Sequence, residues 1–459
     1  MQFLKIYPKS VHVLVDAKVY MADIGDRDVL VCEGKPYFGG QEGTNVAELN
    51  HETANELRRL FPFAAPVPVL NRDRSVGVGD RLGIACPGHI RVFEKYDAMP
   101  VFAQQSIREL NLTNRTFADV LDCATFAVFR ENFTRGFGAD GDHLKKPEDI
   151  EYALGLGFTM ITLDLSDHIH ADAAGAYSQN VDEIYLNRSF AVENHLIEYS
   201  SGELARVKGI YGEALDFAVL MYERFLKNGD YQAEFEISID ETGTPTTPSE
   251  HFFVANELTR RGVRFMTIAP RFIGEFQKGI DYIGEVSAFD GEMAVHAAIA
   301  RHFGYKVSVH SGSDKFSVFP SVGARTNQKY HVKTAGTNWL EAMKIVAAHA
   351  PALYREIHAF ALSAFDEARK YYHVTTDISA IPALDSLTDR QLPELFQDDN
   401  ARQLIHITYG LILSAKDENG APVFRSRLYA FWREHAEEYY AALENHIGHH
   451  LEALGCPKL

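Results

Sequence analysis

Histidine, carboxylate and lysine side chains gather at the ends of four short apolar runs. These are FTMITLDLSDH (Phe158 to His168), AEFEISIDET (Ala233 to Thr242), YKVSVHSGSDKFS (Tyr305 to Ser317) and KYHVKTAGT (Lys329 to Thr337). Neutral imidazole and carboxylate are ordinary ligands of a divalent transition metal, and a carboxylate beside such a site can carry a proton. His168, His310 and His331 would supply three imidazoles from different strands, leaving coordination positions open for substrate or water. Asp167, adjacent to His168 and close to Asp164, is a candidate base. Asp240 and Glu241 reach the same mouth, with Glu241 as a second acid/base and Glu275 in RFIGEF as the alternative. Each has a plainer reading, as a helix cap, a turn carboxylate or a core histidine bonded to backbone.

Positive charge accompanies these ends in Arg81, Arg271, Lys315 and Lys333. A sugar carboxylate or phosphate would need such groups, with Lys315 and Arg81 the candidate contacts; internal ion pairs with neighbouring acids are the competing role. GFGADGDH contains a formal G-x-G-x-x-G in Gly136, Gly138 and Gly141, but no strand-then-helix context surrounds it, which argues against dinucleotide binding. Asp142 and His143 of the same tract repeat an Asp-His ending and are candidates to line the site. HIGHH near the C-terminus, with His446, His449 and His450, reads as an exposed helix end rather than a metal site.

An apolar, β-branched run that breaks into polar residues has the form of a parallel barrel strand whose C-terminal end opens into an active site. Short apolar strands alternate with amphipathic helical stretches from about Ser75, as in a βα repeat. Eight candidate strands fall near Arg81 to Ala85, Pro100 to Ala103, Gly136 to Asp140, Thr159 to Leu163, Phe235 to Ile239, Arg264 to Ile268, Lys306 to Val309 and Tyr330 to Lys333. The expected fold is an α/β (β/α)8 TIM-type barrel over residues 75–345. An insertion at about 169–231, after the fourth strand, is long enough to hold a lid or subdomain as well as its helix. A small α+β extension (1–74) precedes the barrel. A helical C-terminal region (346–459) follows, packed on the barrel or mediating homo-oligomer contacts.

The 459 residues, with 63 acidic and 45 basic side chains and a net charge of -18, fit an acidic enzyme and argue against a nucleic-acid partner. Cys32, Cys86, Cys123 and Cys456 are scattered without zinc-type spacing and read as reduced thiols of a cytoplasmic protein. No signal-peptide pattern opens the chain, and no apolar run approaches the ~20 residues that span a bilayer, so no membrane partner is expected.

Taken together, GDRLGIACPGH, VFAQQSIREL, GFGADGDHLKKPEDI, GFTMITLDLSDH, SIDETGTPTTP, RFIGEFQKGIDY, HSGSDKFSVFP, YHVKTAGTNWLEA and RQLIHITYG resemble the tagaturonate/fructuronate epimerase family of hexuronate catabolism. The resemblance runs from about Gly79 past Gly410. It implies a metal-dependent isomerase that inverts C4 of a 2-keto hexuronate, interconverting D-tagaturonate and D-fructuronate, with related forms acting on tagatose and fructose. It further implies Asp167 as proton acceptor, Glu241 as proton donor, and His168, His310 and His331 as metal ligands. The imidazole set suits zinc, manganese, nickel, cobalt and iron alike.

Carbonyl chemistry restricts the route. The carbonyl at C2 acidifies the C3 hydrogen but not that on C4, so inversion at C4 needs either transient oxidation or retro-aldol cleavage between C3 and C4 followed by re-addition. Without a dinucleotide fingerprint the second route is preferred. A metal-dependent aldolase or ketose isomerase on the same barrel is the nearest alternative, and a non-catalytic sugar-acid sensor a more distant one.

Overall fold

The computed structural model describes residues 3–459. Eight parallel strands close into a barrel: β1 (Arg74–Gly77), β2 (Met99–Ser106), β3 (Gly138–Leu144), β4 (Met160–Asp164), β5 (Glu234–Ile239), β6 (Thr267–Pro270), β7 (Lys306–Val309) and β8 (Tyr330–Lys333). Closure between β8 and β1 pairs His331 with Ser75 and Lys333 with Gly77. A closed barrel of this kind is the expected TIM-type α/β architecture. Among the described residues no helix is long and apolar enough to cross a membrane.

Two strands differ from their expected positions. Arg81 to Ala85 is not a strand, and β1 lies upstream at Arg74–Gly77. The Asp80 carboxylate accepts from the amides of Leu82, Gly83 and Ala85, and Gly79 and Gly83 adopt positive φ. Those amides therefore serve a turn into the helix Cys86–Phe93 instead of a ladder. β6 begins at Thr267, three residues beyond Arg264.

The barrel centre is polar, unlike the branched apolar filling common in this architecture. Asp140, Thr162, Glu236, Thr267, His331 and Lys333 are all buried and, His331 apart, joined by hydrogen bonds and ion pairs. Gly77 has no room for a side chain, since a Cβ would meet Oε1 of Gln104 at 1.8 Å. The apolar residues lie on the outer face, where Ile161, Leu163, Ile237, Val307 and Val332 pack under the helices.

Before the barrel, an antiparallel sheet centred on Ala17–Asp23 and Asp28–Gly34 packs Met21 and Leu30 against Leu57 and Phe129. The insertion after β4 contains a hairpin, Ser189–Val192 with His195–Glu198, ahead of the long helix Ser201–Phe225. Phe190 and Tyr199 of this hairpin pack on Phe252 and Phe253 of the helix Pro248–Arg260. That aromatic contact seats the hairpin on an outer helix. The C-terminal helices form a second core around Trp339, Tyr354, Trp432 and Tyr439, and they brace the loops at the barrel mouth.

Candidate active site

The polar strand ends converge, and a bulge decides which side chain heads the cluster. Register between β3 and β4 shifts between Gly141 and Leu144, and His143 within that stretch adopts φ 55°. A bulge of this kind re-aims one side chain while the strand continues. Here it turns His143 toward Asp240, at the end of β5, and His310, at the end of β7. One ligand atom from each of the three lies within 4.8 Å of the others.

Carboxylates hold both imidazoles. His310 donates from Nε2 to Glu236 Oε1 at 2.8 Å and from Nδ1 to Asp240 Oδ1 at 3.1 Å. His143 donates from Nδ1 to Asp142 Oδ1 at 2.8 Å, which leaves Nε2 facing Asp240 at 3.9 Å. Beneath them, Lys333 Nζ lies 2.8 Å from both Asp140 and Asp142 and 2.7 Å from Glu236. Burial opposes charge on His143, but Asp142 and Asp240 outweigh it and hold the pKa well above the usual imidazole range. His310 is likewise raised, against burial, by Asp240 and Glu236. Asp240 stays well below the usual carboxylate range because the two histidines overcome its burial. Burial lifts Asp140 to about 6 despite Lys333.

These residues fit a divalent cation. One carboxylate and two imidazoles form a borderline donor set that leaves coordination positions open. Asp142 and Glu236 orient the two rings from behind, as supporting carboxylates do in metal sites.

Of the residues proposed from the sequence, His310, Asp240, Glu241, Asp142, His143, Lys333 and Arg81 line this cleft. Glu241 is exposed at its edge, and Arg81 is buried, its guanidinium bound to Glu109 at 2.6 Å and lying over Tyr409 at 4.1 Å. Asp142 acts on Lys333 and His143.

Five others are placed elsewhere. After Asp164 the chain turns outward through the 3-10 helix Ser166–His168, with Asp164 accepting from the Ser166 amide. His168 consequently stacks on Phe217 at 4.2 Å, outside the cluster. Asp167 is 62% exposed and paired with Lys145 at 2.7 Å, and it does not line the cleft. His331 lies within β8, its Nδ1 bonded to Ser75 Oγ at 2.9 Å, and burial drops its pKa to about 3. Lys315 is fully buried, donating to the carbonyls of Gln277, Ile280 and Ser313, and burial lowers its pKa to about 7. Its charge is spent on backbone. Glu275 sits beside His373 at 3.5 Å.

HIGHH is not an exposed helix end. His446 Nε2 donates to Asp314 at 2.6 Å, and His450 is buried against the same residue. Residues passed over by the sequence reasoning include Glu236, whose inward position needed the strand register, Arg108, which reaches the cleft from the first turn of the helix Ile107–Thr113, and Lys278, which reaches it from a loop. Asp-His at 142 and 143 was the available signal for the bulged histidine.

Comparison with known proteins agrees over nearly the whole chain. The model of a family described as "UxaE: tagaturonate epimerase" matches residues 7–454. A Thermotoga maritima protein named tagaturonate/fructuronate epimerase is 43% identical over 439 residues, covering 92% of this chain and 90% of the relative. Crystal structures of the fructuronate-tagaturonate epimerase UxaE from Cohnella laeviribosi superpose with a TM-score of 0.95. The form with one glycerol is 48% identical and covers 98% of this chain and 96% of its own. The native form is 47% identical, with coverage of 99% and 97%.

Proposed function

The chain belongs to the tagaturonate epimerase family and is an isomerase-class epimerase, and from that premise we propose that it interconverts D-tagaturonate and D-fructuronate at a site built on His143, Asp240 and His310. The observation that carries this reading is the convergence of those three residues at the C-terminal mouth of the barrel. His143, Asp240 and His310 would hold a divalent cation, which would supply Lewis-acid stabilisation of the negative charge that develops on the substrate.

Glu241, exposed at the cleft edge, takes the proton of the C4 hydroxyl. The C3–C4 bond then breaks, its electron pair moving onto the C2–C3 fragment as an enediolate, while C4 becomes an aldehyde. Rotation of the aldehyde presents its other face. C3 re-attacks, and Glu241 returns the proton to the new C4 oxygen. Asp142 and Glu236 keep the two imidazoles oriented throughout, and Lys333 restrains both carboxylates.

The test is to load chelated protein with zinc, manganese, nickel, cobalt or iron in turn, supply D-tagaturonate, and follow carbon-resolved NMR. D-fructuronate should form without release of carbon fragments, and Glu241→Gln should lower kcat about 100-fold. Full turnover after verified metal removal would overturn the part assigned to the cation, and accumulated fragments would make the protein an aldolase.

A further inference from the structure

The cleft carries charges of both signs. Asp142, Asp240 and the two histidines line it. Two further cations line the same cleft without an ion-pair partner among the described residues. Lys278 Nζ donates only to Ser311 Oγ, at 3.0 Å, and Arg108 extends over the ring of Tyr372 at 4.9 Å. Among the described residues neither forms an ion pair. Glu109, the carboxylate beside them, is already held by Arg81 at 2.6 Å, and Glu241 makes no ion pair with either.

Two cations lining one cleft without acidic partners, Lys278 half-buried and Arg108 exposed, favour an anion between them. The pKa of Lys278 reflects this: burial first, then Arg108 and Arg81, lower it from the ordinary lysine value. An incoming carboxylate relieves that repulsion.

We infer that Lys278 and Arg108 form the clamp for the substrate carboxylate and set a preference for sugar acids over neutral ketohexoses. This rests on the function proposed above and adds the choice between the uronate pair and the tagatose/fructose pair. A hexuronate carries groups for both sets: ketone and hydroxyl oxygens for the histidine cluster and a carboxylate for the two cations. Arg81 and Lys315 are spent on Glu109 and on backbone carbonyls, so they do not serve as the clamp.

The deciding experiment compares Lys278→Met, Arg108→Met and Lys278→Arg with the unmodified enzyme in kcat/KM on D-tagaturonate and on D-tagatose. The ratio of the two values should fall about 30-fold in each Met variant, as expected for a lost hydrogen bond to a charged group, and recover largely in Lys278→Arg. A ratio unchanged within about threefold would overturn the clamp while leaving epimerisation standing. Calorimetry with D-gluconate, an acid that cannot react, separates this outcome from failure of the functional reading. Gluconate should bind the unmodified protein and bind each Met variant about 30-fold more weakly. Equal binding, or no binding to any form, would also overturn the clamp. Failure of the unmodified enzyme to epimerise either uronate would instead overturn the functional reading.

Discussion

Two carboxylate–histidine clusters flank one loop, and they differ in what already occupies them. His143, Asp240 and His310 stand at the barrel mouth, while Asp314, His446 and His450 lie where the same loop meets the C-terminal helix Ala436–Ala453. In each, three ligand atoms fall within 4.8 Å of one another. In the second cluster, Asp314 is gripped by Arg402 at 2.5 Å, and His450 spends both ring nitrogens, Nε2 accepting from the Asp314 amide and Nδ1 donating to the His446 carbonyl. In the first, no arginine among the described residues pairs with Asp240, and although His310 likewise bonds through both ring nitrogens, to Glu236 and Asp240, His143 Nε2 faces the cleft with only a loose contact to Asp240. Donor identity and spacing are therefore insufficient to define a metal site. On the reading proposed above, a ring nitrogen without a close partner and an approach from solvent are also required.

The largest expected effect breaks the comparison directly. His310→Ala should lower kcat/KM at least about 1000-fold and abolish bound metal by elemental analysis, whereas His446→Ala should retain the full metal complement. Loss of metal in His446→Ala would mean that the second cluster is the cation site. Next in size, Arg402→Ala leaves the buried Asp314 short of one counter-charge and should cost about 3–5 kcal/mol in urea denaturation. An unchanged midpoint would show that His446 alone neutralises Asp314.

The smallest effect is a pH dependence. Burial opposes charge on His446, but Asp314 and Glu341 raise its pKa above the ordinary value. A raised folded-state pKa adds stability that is fully present below the unfolded value and disappears as pH rises through the folded one. The urea midpoint should consequently fall between about pH 6 and about pH 9 by more in the unmodified protein than in His446→Gln. Parallel curves would place His446 outside the stabilising network.

Much of this was legible from residue order. The alternation of apolar runs and helical stretches implied eight strands, and the polar endings implied a site at their C-terminal ends, because strand period and burial are local properties. His310 was found this way. The strand that Arg81 to Ala85 suggested was not, since three amides there serve the Asp80 side chain. His331 and Lys315 carry the right chemistry on the right runs, yet one is bonded to Ser75 inside the barrel and the other is wrapped by backbone carbonyls. Whether a polar side chain faces a cleft or a partner depends on what the rest of the chain brings beside it.

Composition and spacing by themselves determined that the chain forms a parallel barrel with a charged mouth and a family likeness over most of its length, because these follow from local pattern. Tertiary structure alone decided which histidines meet. The bulge between Gly141 and Leu144 turns His143 inward, the outward turn after Asp164 removes His168, and Arg402 closes the second cluster. Each is a non-local outcome, set by register, by backbone hydrogen bonding and by a charge arriving from 88 residues away, and none of these is carried by the residues at the site.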